Sequence, residues 1–189
     1  MEVNKMAYEE FRKKIVDLQG DWGQFRISFI NRDSFKDFAD HLCDNLVNET
    51  CNRVCITGYF SETIREQLEQ FSKRQGHNVR LICQELDPKN HREMKNLGVL
   101  RKLCKTGVDV KVNNRIHARF LVAHNPDFLP KILGLLIIGS FDFNTECIGK
   151  ERLDAGIKTN HPDLVKSALQ FFDEIWNTTE SIPLNEKYP

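Results

Sequence analysis

Hydrophobic residues recur along this chain with two spacings, one typical of helices and one typical of strands. Spacings of three or four predict five amphipathic helices, which contain Tyr8, Phe11, Ile15 and Leu18; Phe35, Phe38, Leu42 and Leu46; Ile64, Leu68 and Phe71; Met94, Leu97, Leu100 and Leu103; and Leu164, Ala168, Phe171, Phe172 and Ile175. The first helix spans residues 5–19. Alternating or short apolar runs predict seven strands, over residues 25–29, 54–57, 79–83, 108–112, 119–123, 133–138 and 155–158. Residues after Trp176 are predicted to be irregular.

The order of these elements indicates the fold class. Strands alternate with helices of about ten to fifteen residues, which is typical of an α/β protein, here an α/β/α sandwich with a mixed, largely parallel central sheet. Three late strands follow one another without a helix, so some pairs are expected to be antiparallel. No linker or repeat divides the chain, so residues 1–189 are predicted to form one domain, with residues 1–22 as an N-terminal helical extension.

Composition narrows the class of protein. The 189 residues include 27 Lys and Arg against 27 Asp and Glu, with a pI of about 7.0. No apolar run approaches the ~18 residues that a membrane span needs, and the first residues lack the apolar stretch of a secretory signal. A cytoplasmic protein without membrane association is therefore expected.

The cysteines argue for a reduced, metal-free chain. Six are present, at Cys43, Cys51, Cys55, Cys83, Cys104 and Cys147. Four of them lie within or beside apolar segments, which predicts buried thiols rather than disulfides. Cys51 and Cys55 form the only close pair, and no second Cys or His pair follows at a matching spacing. No metal ion or other cofactor is predicted.

The balanced charge bears on possible partners, because proteins that bind nucleic acid through its phosphates usually carry a basic surface. Basic residues cluster in two places: Lys73, Arg74, His77 and Arg80; and Lys89, His91, Arg92, Lys95, Arg101, Lys102 and Lys105. A solvated helix face accounts for most of them, and contact of some with phosphate stays open.

Candidate chemistry lies in the second half of the chain. His117 and Arg119 open a predicted strand two residues apart, and strand alternation places both side chains on one face, where they suit an anion. The next buried strand ends in Gly139 and Ser140, and ligands of α/β sheets bind at strand ends. Asp154 precedes another strand, and its carboxylate could hold an imidazole in one tautomer. Taken singly, each residue also has a structural interpretation, as a strand histidine or as a turn.

The order and spacing of these residues resemble the phospholipase D superfamily, over residues 53–177. A half-site of that family reads His-x-Lys, then Gly-Ser-x-Asn after a strand and loop, then an acidic residue before a short strand. The corresponding residues here are His117-Ala118-Arg119, Gly139-Ser140-Phe141-Asp142, and Asp154 with Glu151 close by. The supporting elements include “VRLIC”, which is similar to the second strand of the family, and “FFDEIW”, which is similar to its last helix.

The resemblance implies a phosphodiesterase that needs no metal and forms a phosphohistidine intermediate. One histidine attacks phosphorus and a second protonates the leaving oxygen, so two half-sites are required. This chain holds one motif, which implies a homodimer in which two copies of His117 face one phosphate. Arg119 and Ser140 would bind phosphate oxygens, and Asp154, with Glu151 as second choice, would orient the imidazole.

The resemblance also assigns substrate binding to Gly139, Asp142, Asn144 and Glu151. Gly139 would let the backbone approach the phosphate closely. Arg119 replaces the family's Lys, and the N–H donors of a planar guanidinium point in other directions than those of an ammonium group. Asp142 replaces the usual Asn with an anion that repels phosphate, and Asn144 is the candidate to supply the missing amide. His124 occupies the place of a family Asp and is expected to be structural.

Three functions stay open at this point. The first is a homodimeric phosphodiesterase, most plausibly a nuclease acting on DNA or RNA, since the chain lacks the interfacial helix that a lipid substrate would favour. The second is a phospholipase D-like module with weakened catalysis that serves nucleic-acid binding or dimerisation. The two departures from the family motif, Arg119 and Asp142, support this function. The third is an unrelated α/β protein in which His117 is a core residue.

Overall fold

The computed structural model describes residues 27–48, 51–58, 60, 62–74, 78–125, 133–140 and 155–189. The helix predicted over residues 5–19 lies outside these ranges and stays a prediction. The described strands are β1 (Ile27–Asn31), β2 (Arg53–Thr57), β3 (Asn78–Cys83), β4 (Asp109–Val112), β5 (Phe120–Asn125), β6 (Leu133–Gly139), β7 (Ala155–Thr159) and β8 (Ile182–Pro183). The described helices are α1 (Arg32–Asp40), α2 (Leu42–Asn48), α3 (Glu62–Ser72), α4 (His91–Lys105), α5 (Pro162–Trp176) and α6 (Leu184–Lys187).

The described strands form one mixed sheet in the order β1-β7-β6-β5-β2-β3-β4-β8. Strands β2, β3 and β4 are parallel neighbours, because α3 and α4 return the chain between them. The other neighbouring pairs are antiparallel. The α/β class and the mixed sheet are confirmed, while the parallel share is smaller than expected. The seven residues between β5 and β6 are too few for a crossover that would make those strands parallel.

Helices cover both faces of the sheet, as a sandwich requires. On one face, α1 to α4 pack against the sheet through side chains that include Phe35, Leu46, Ile64, Leu68, Phe71, Leu100 and Leu103. On the other face, Val165 and Phe172 of α5 pack against Ile82, Phe120 and Val122. Strand alternation produces this division, since neighbouring residues of one strand point to opposite cores.

The predicted helix from Ser34 is two helices, α1 and α2, which meet at His41. At this junction the side-chain amide of Asn45 donates to the carbonyl of Phe38, with 3.1 Å between nitrogen and oxygen. The apolar spacing continues across the junction because Phe38 and Leu42 both face the same core. The periodicity therefore identified the buried face but not the break.

The prediction that residues after Trp176 are irregular is wrong. Strand β8 pairs with β4 through Val112 and Ile182, and α6 follows it. The Tyr188 hydroxyl accepts a hydrogen bond from the Leu86 amide (2.7 Å) and donates one to the Leu86 carbonyl (3.0 Å). A strand of two residues is too short to show alternation, so only these distant contacts define the structure of the tail.

The described cysteines are free thiols, as predicted, and Cys147 lies outside the described residues. Burial raises the pKa of the Cys55 and Cys83 thiols to about 12. Both therefore stay protonated at neutral pH and serve as small core residues. Within the described ranges, no helix has the length and apolar character needed to cross a membrane.

Candidate active site

The sheet topology brings several sequence-predicted site residues to one edge. Strands β2, β3 and β4 end at this edge, with Thr57 as the last residue of β2. Strand β5 runs the opposite way, so the residues just before Phe120 lie at the same edge. Strand β6 ends there at Gly139, beside the start of β7 at Ala155. Carboxyl ends of parallel strands are the usual ligand-binding edge of α/β sheets.

The segment His117-Ala118-Arg119 precedes the ladder, because β5 begins at Phe120. The Thr57 hydroxyl donates to the Ala118 carbonyl (2.7 Å) and accepts from the Phe120 amide (3.1 Å). On the other side, the Gly139 amide donates to the Arg119 carbonyl (3.2 Å). Two neighbouring strands therefore hold the backbone of a segment that is not itself part of a strand.

Arg119 and Ser140 are in direct contact. Nη1 of the guanidinium donates to the Ser140 carbonyl at 2.6 Å. The Ser140 amide donates to the Ala155 carbonyl (3.1 Å), and the Ala155 amide donates to Oγ of Ser140 (3.2 Å). The structure thus places Arg119, Gly139 and Ser140 together at the sheet edge.

His117 is exposed and lines a small cleft of about 20 Å³ with Arg119, Ala118, Ile116, Gly58 and Gln84. That volume holds about one water molecule. Gly58 has φ 140°, a conformation that side chains rarely adopt, and its amide donates to the Ile82 carbonyl (3.1 Å). An exposed imidazole beside a guanidinium in such a cleft can meet a phosphate from solvent.

Four sequence-predicted site residues, Asp142, Asn144, Glu151 and Asp154, lie outside the described residues. Their roles stay predictions. Ala155, which follows Asp154 in the sequence, is bonded to Ser140 as described above.

The sequence did not predict the role of Asn113. Like Thr57, this residue holds in place the backbone next to His117. This buried residue donates its side-chain amide to Oγ of Ser181 (2.9 Å), and its Oδ1 accepts from the Arg115 amide (2.9 Å). Its own amide donates to the Cys83 carbonyl (2.9 Å). These bonds connect the loop before His117 to the end of β3 and to the C-terminal tail.

Many of the clustered basic residues are engaged within the chain. Lys102 lies 2.7 Å from a Glu62 carboxylate oxygen, and Lys73 lies 2.7 Å from one of Glu69. The Arg80 guanidinium lies 5.5 Å from the centre of the Trp176 ring. These contacts favour the interpretation of the clusters as solvated faces stabilised by local pairs.

His124, expected to be structural, lies near the end of β5, and its pKa is lowered from the ordinary 6.5. Burial is the main cause, the charge of Arg53 adds to it, and Asp173 opposes it. The unfolded chain therefore binds a proton at His124 at a higher pH than the folded chain does. The free energy of unfolding should fall as the pH falls through 6.5 towards the lower folded pKa.

We expect His124→Gln to reduce this loss of stability between pH 7 and pH 5, measured by urea unfolding at each pH. His91→Gln, at an exposed position on α4, is the matched control and should keep the wild-type pH profile. A His124→Gln profile identical to that of the wild type in this window would contradict the assignment.

Three solved structures with the same fold come from proteins whose names describe different functions. Nuc from Salmonella typhimurium, a phospholipase D family member, matches with a TM-score of 0.60 at 13% identity over 84% of this chain and 96% of its own. A phosphatidylserine synthase from Haemophilus influenzae Rd KW20 matches with 0.60 at 15% identity over 95% and 42%. TrmBL2, an archaeal chromatin protein that binds DNA, matches with 0.52 at 10% identity over 96% and 62%. At these identities, the likeness shows the fold alone.

The sequence comparison identifies the family. No curated protein matches the chain significantly. The family model described as “Cardiolipin synthase, PLD-like domain” matches residues 45–176, which is more than half of the chain. This match includes the segment around His117 and the strand that ends at Gly139, both at the site edge. The chain belongs to the phospholipase D superfamily, as a member with a PLD-like domain.

Proposed function

We propose that this chain is a phosphodiesterase acting on nucleic acid, through a phosphohistidine at His117 and without a metal ion, at a site shared by two copies. The observation that supports it most is the exposed His117 in one cleft with Arg119, whose guanidinium contacts Ser140. The family supports phosphodiester chemistry, and the placement of these three residues fits a half-site for it.

In the proposed reaction, a ring nitrogen of one neutral His117 attacks phosphorus. A bond from phosphorus to nitrogen forms while the bond to the leaving oxygen breaks, and the protonated His117 of the second copy gives its proton to that oxygen. Water then loses a proton to this second imidazole and attacks phosphorus, which releases the first His117. Arg119 would hold the non-bridging oxygens throughout, with Ser140 beside it, and Asp154 or Glu151 would orient the imidazole.

Two features of a single copy support the shared site. Each chain supplies one histidine of the motif, whereas the reaction needs a nucleophile and an acid. The described cleft, of about 20 Å³, is smaller than a phosphate group, and a second copy facing it would supply further walls.

Polar side chains at and just before the cleft support a hydrophilic substrate, although Ile138 of β6 and Phe171 of α5 are exposed apolar residues beside Phe120. Gln84 lines the cleft, and Asn114 and Arg115 are exposed just before it, Arg115 with 77% of its side chain accessible. The acyl chains of a lipid need an apolar surface, whereas nucleic acid is bound through polar contacts to its backbone.

A heterodimer tests the shared site directly. Wild type and His117→Asn, carrying different affinity tags, are co-expressed, and the mixed dimer is isolated through both tags. If both copies of His117 serve one phosphate, the mixed dimer should retain under about 1% of wild-type turnover of a generic phosphodiester in EDTA. Half of the wild-type activity, or a fully active monomer, would overturn the shared site. A mixed dimer with Lys36→Ala, an exposed position on α1, is the control and should be fully active.

Arg119 provides a graded test of phosphate binding. Arg119→Ala should lower kcat/KM about 100-fold, the scale of losing one preorganised donor to a developing charge. Arg119→Lys restores the family's residue and its charge, so it should retain or raise activity. Arg53→Ala removes an exposed arginine at the start of β2, at the end of the strand away from the site, and is the matched control, with activity close to that of the wild type. Equal activity of the wild type, Arg119→Ala and Arg119→Lys would remove Arg119 from the site.

A second function is favoured by one contact. Because the Arg119 guanidinium already donates to the Ser140 carbonyl, part of its donor set is committed before any phosphate arrives. A chain with weakened catalysis that binds nucleic acid or dimerises would fit this arrangement. Salt-dependent binding of single- or double-stranded DNA or RNA, without turnover in EDTA or with added metal, would support this function over the first.

A further inference from the structure

Thr57 contacts the backbone on both sides of Arg119. Its side chain is 0% exposed, at the last position of β2. Its single hydroxyl donates to the Ala118 carbonyl at 2.7 Å and accepts from the Phe120 amide at 3.1 Å. The proton of this hydroxyl therefore has a fixed direction, from Thr57 towards Ala118.

The two bonds fix both peptide groups that adjoin Arg119. The Ala118 carbonyl belongs to the peptide before Arg119, and the Phe120 amide belongs to the peptide after it. Because the direction of the Cα–Cβ bond follows from the two peptide planes at the Cα atom, the hydroxyl sets the direction in which the Arg119 side chain leaves the backbone. The Gly139 amide holds the same second peptide from the side of β6, at 3.2 Å from the Arg119 carbonyl.

The buried hydroxyl at position 57 makes two hydrogen bonds that an apolar side chain of the same shape could not make. Valine has nearly the shape of threonine and would fill the same space, but it can neither donate nor accept a hydrogen bond. It would leave the Ala118 carbonyl and the Phe120 amide without this partner at the edge of the core, and an unsatisfied buried polar group is costly. The segment from His117 to Arg119 would then move to find other partners.

We propose that Thr57 is a positioning residue, which sets the geometry of Arg119 and His117 through the backbone and touches no substrate itself. Its effect on turnover rests on the proposed function, whereas its effect on the position of the segment does not. Catalytic groups must be held to within about 0.5 Å of the productive geometry, so a small shift of this segment has a large consequence.

The chain offers a matched control in Thr159. It is the last residue of β7, 2% exposed, and its hydroxyl accepts from the His161 amide at 3.1 Å. Thr159→Val makes the same chemical change at the opposite edge of the sheet. Any loss caused merely by removing a buried hydroxyl from a strand end should be shared by Thr57→Val and Thr159→Val.

The experiment compares wild type, Thr57→Val, Thr57→Ser and Thr159→Val, as folded full-length proteins, on a generic phosphodiester in EDTA. Thr57→Val should lower turnover about 100-fold, mainly in kcat, since a misplacement of about 1 Å costs that much. Thr57→Ser keeps the hydroxyl and should stay within about 3-fold of wild type, as should Thr159→Val. An equal loss in Thr57→Val and Thr159→Val, or no rescue by serine, would overturn the proposal.

A second readout separates this inference from the proposed function. Hydrogen exchange of the Phe120 amide should be faster in Thr57→Val than in Thr159→Val, and the NMR signals of the Arg119 guanidinium and the His117 ring should shift only in Thr57→Val. If the wild type turns over no phosphodiester, the proposed function fails and these signals alone decide. Signals identical in Thr57→Val and wild type would overturn the role of Thr57 whatever the activity.

Discussion

His117→Asn should abolish hydrolysis of a generic phosphodiester in EDTA, by at least about 1000-fold. The proposed reaction uses this imidazole twice, as nucleophile in one copy and as acid in the other, so one substitution removes both groups from a homodimer. Asparagine keeps a polar side chain at an exposed position, and the fold should be unaffected. Hydrolysis is measured on the generic diester together with single- and double-stranded DNA and RNA.

Two controls accompany this measurement. His161→Asn changes a half-buried histidine at the start of α5, away from the cleft, and should keep wild-type turnover. Acid-free quenching followed by mass spectrometry should find the phosphoryl adduct on His117 in the wild type. An adduct on another residue, or residual hydrolysis within about 10-fold of wild type, would contradict the role of His117 as nucleophile.

Gly134→Ala should destabilise the protein by about 3 kcal/mol, because the added methyl group would overlap two packed neighbours. A Cβ at this position on β6 would lie 2.6 Å from the Ala123 carbonyl oxygen and 2.8 Å from Cγ1 of Val165. The first is backbone of the paired strand and the second belongs to α5, so neither can withdraw without moving an element. Urea unfolding measures the change.

Gly98→Ala is the matched control for this substitution. It lies within α4, and nothing stands within 4 Å of where its Cβ would be. Alanine has the higher helix propensity, so the substitution should stabilise the protein by about 0.5–1 kcal/mol. Equal small effects at both glycines would contradict the close approach of α5 to β6.

The sequence alone predicted those elements whose buried face is encoded within one segment. Helix α4 and strand β3 are examples, because their apolar residues recur at 3.6- and 2-residue periods without reference to the rest of the chain. The motif likewise made His117 and Arg119 candidates, since its residues are close in sequence. Their placement with Ser140 at one edge followed from the order of the strands.

Contacts between residues that are far apart in the sequence produce no recognisable pattern within a single segment. The Thr57 hydroxyl and the Ala118 carbonyl are 61 positions apart, and Asn113 and Ser181 are 68 positions apart. A threonine at a strand end has many other uses, so nothing in its neighbours predicted this one.

The antiparallel pairing of β2 with β5 brings together Thr57 and Phe120, which are 63 positions apart, whereas the parallel pairs of β2 with β3 and of β3 with β4 join strands that follow one another in the sequence. Two strands that are far apart in the sequence can pair only after a long loop has closed, and such high contact order slows folding. The edge that holds the backbone of Arg119 depends on the pairing of β2 with β5, so it is completed by the slower pairing. A chain refolding from denaturant should therefore regain its parallel strands before it regains the edge that presents Arg119.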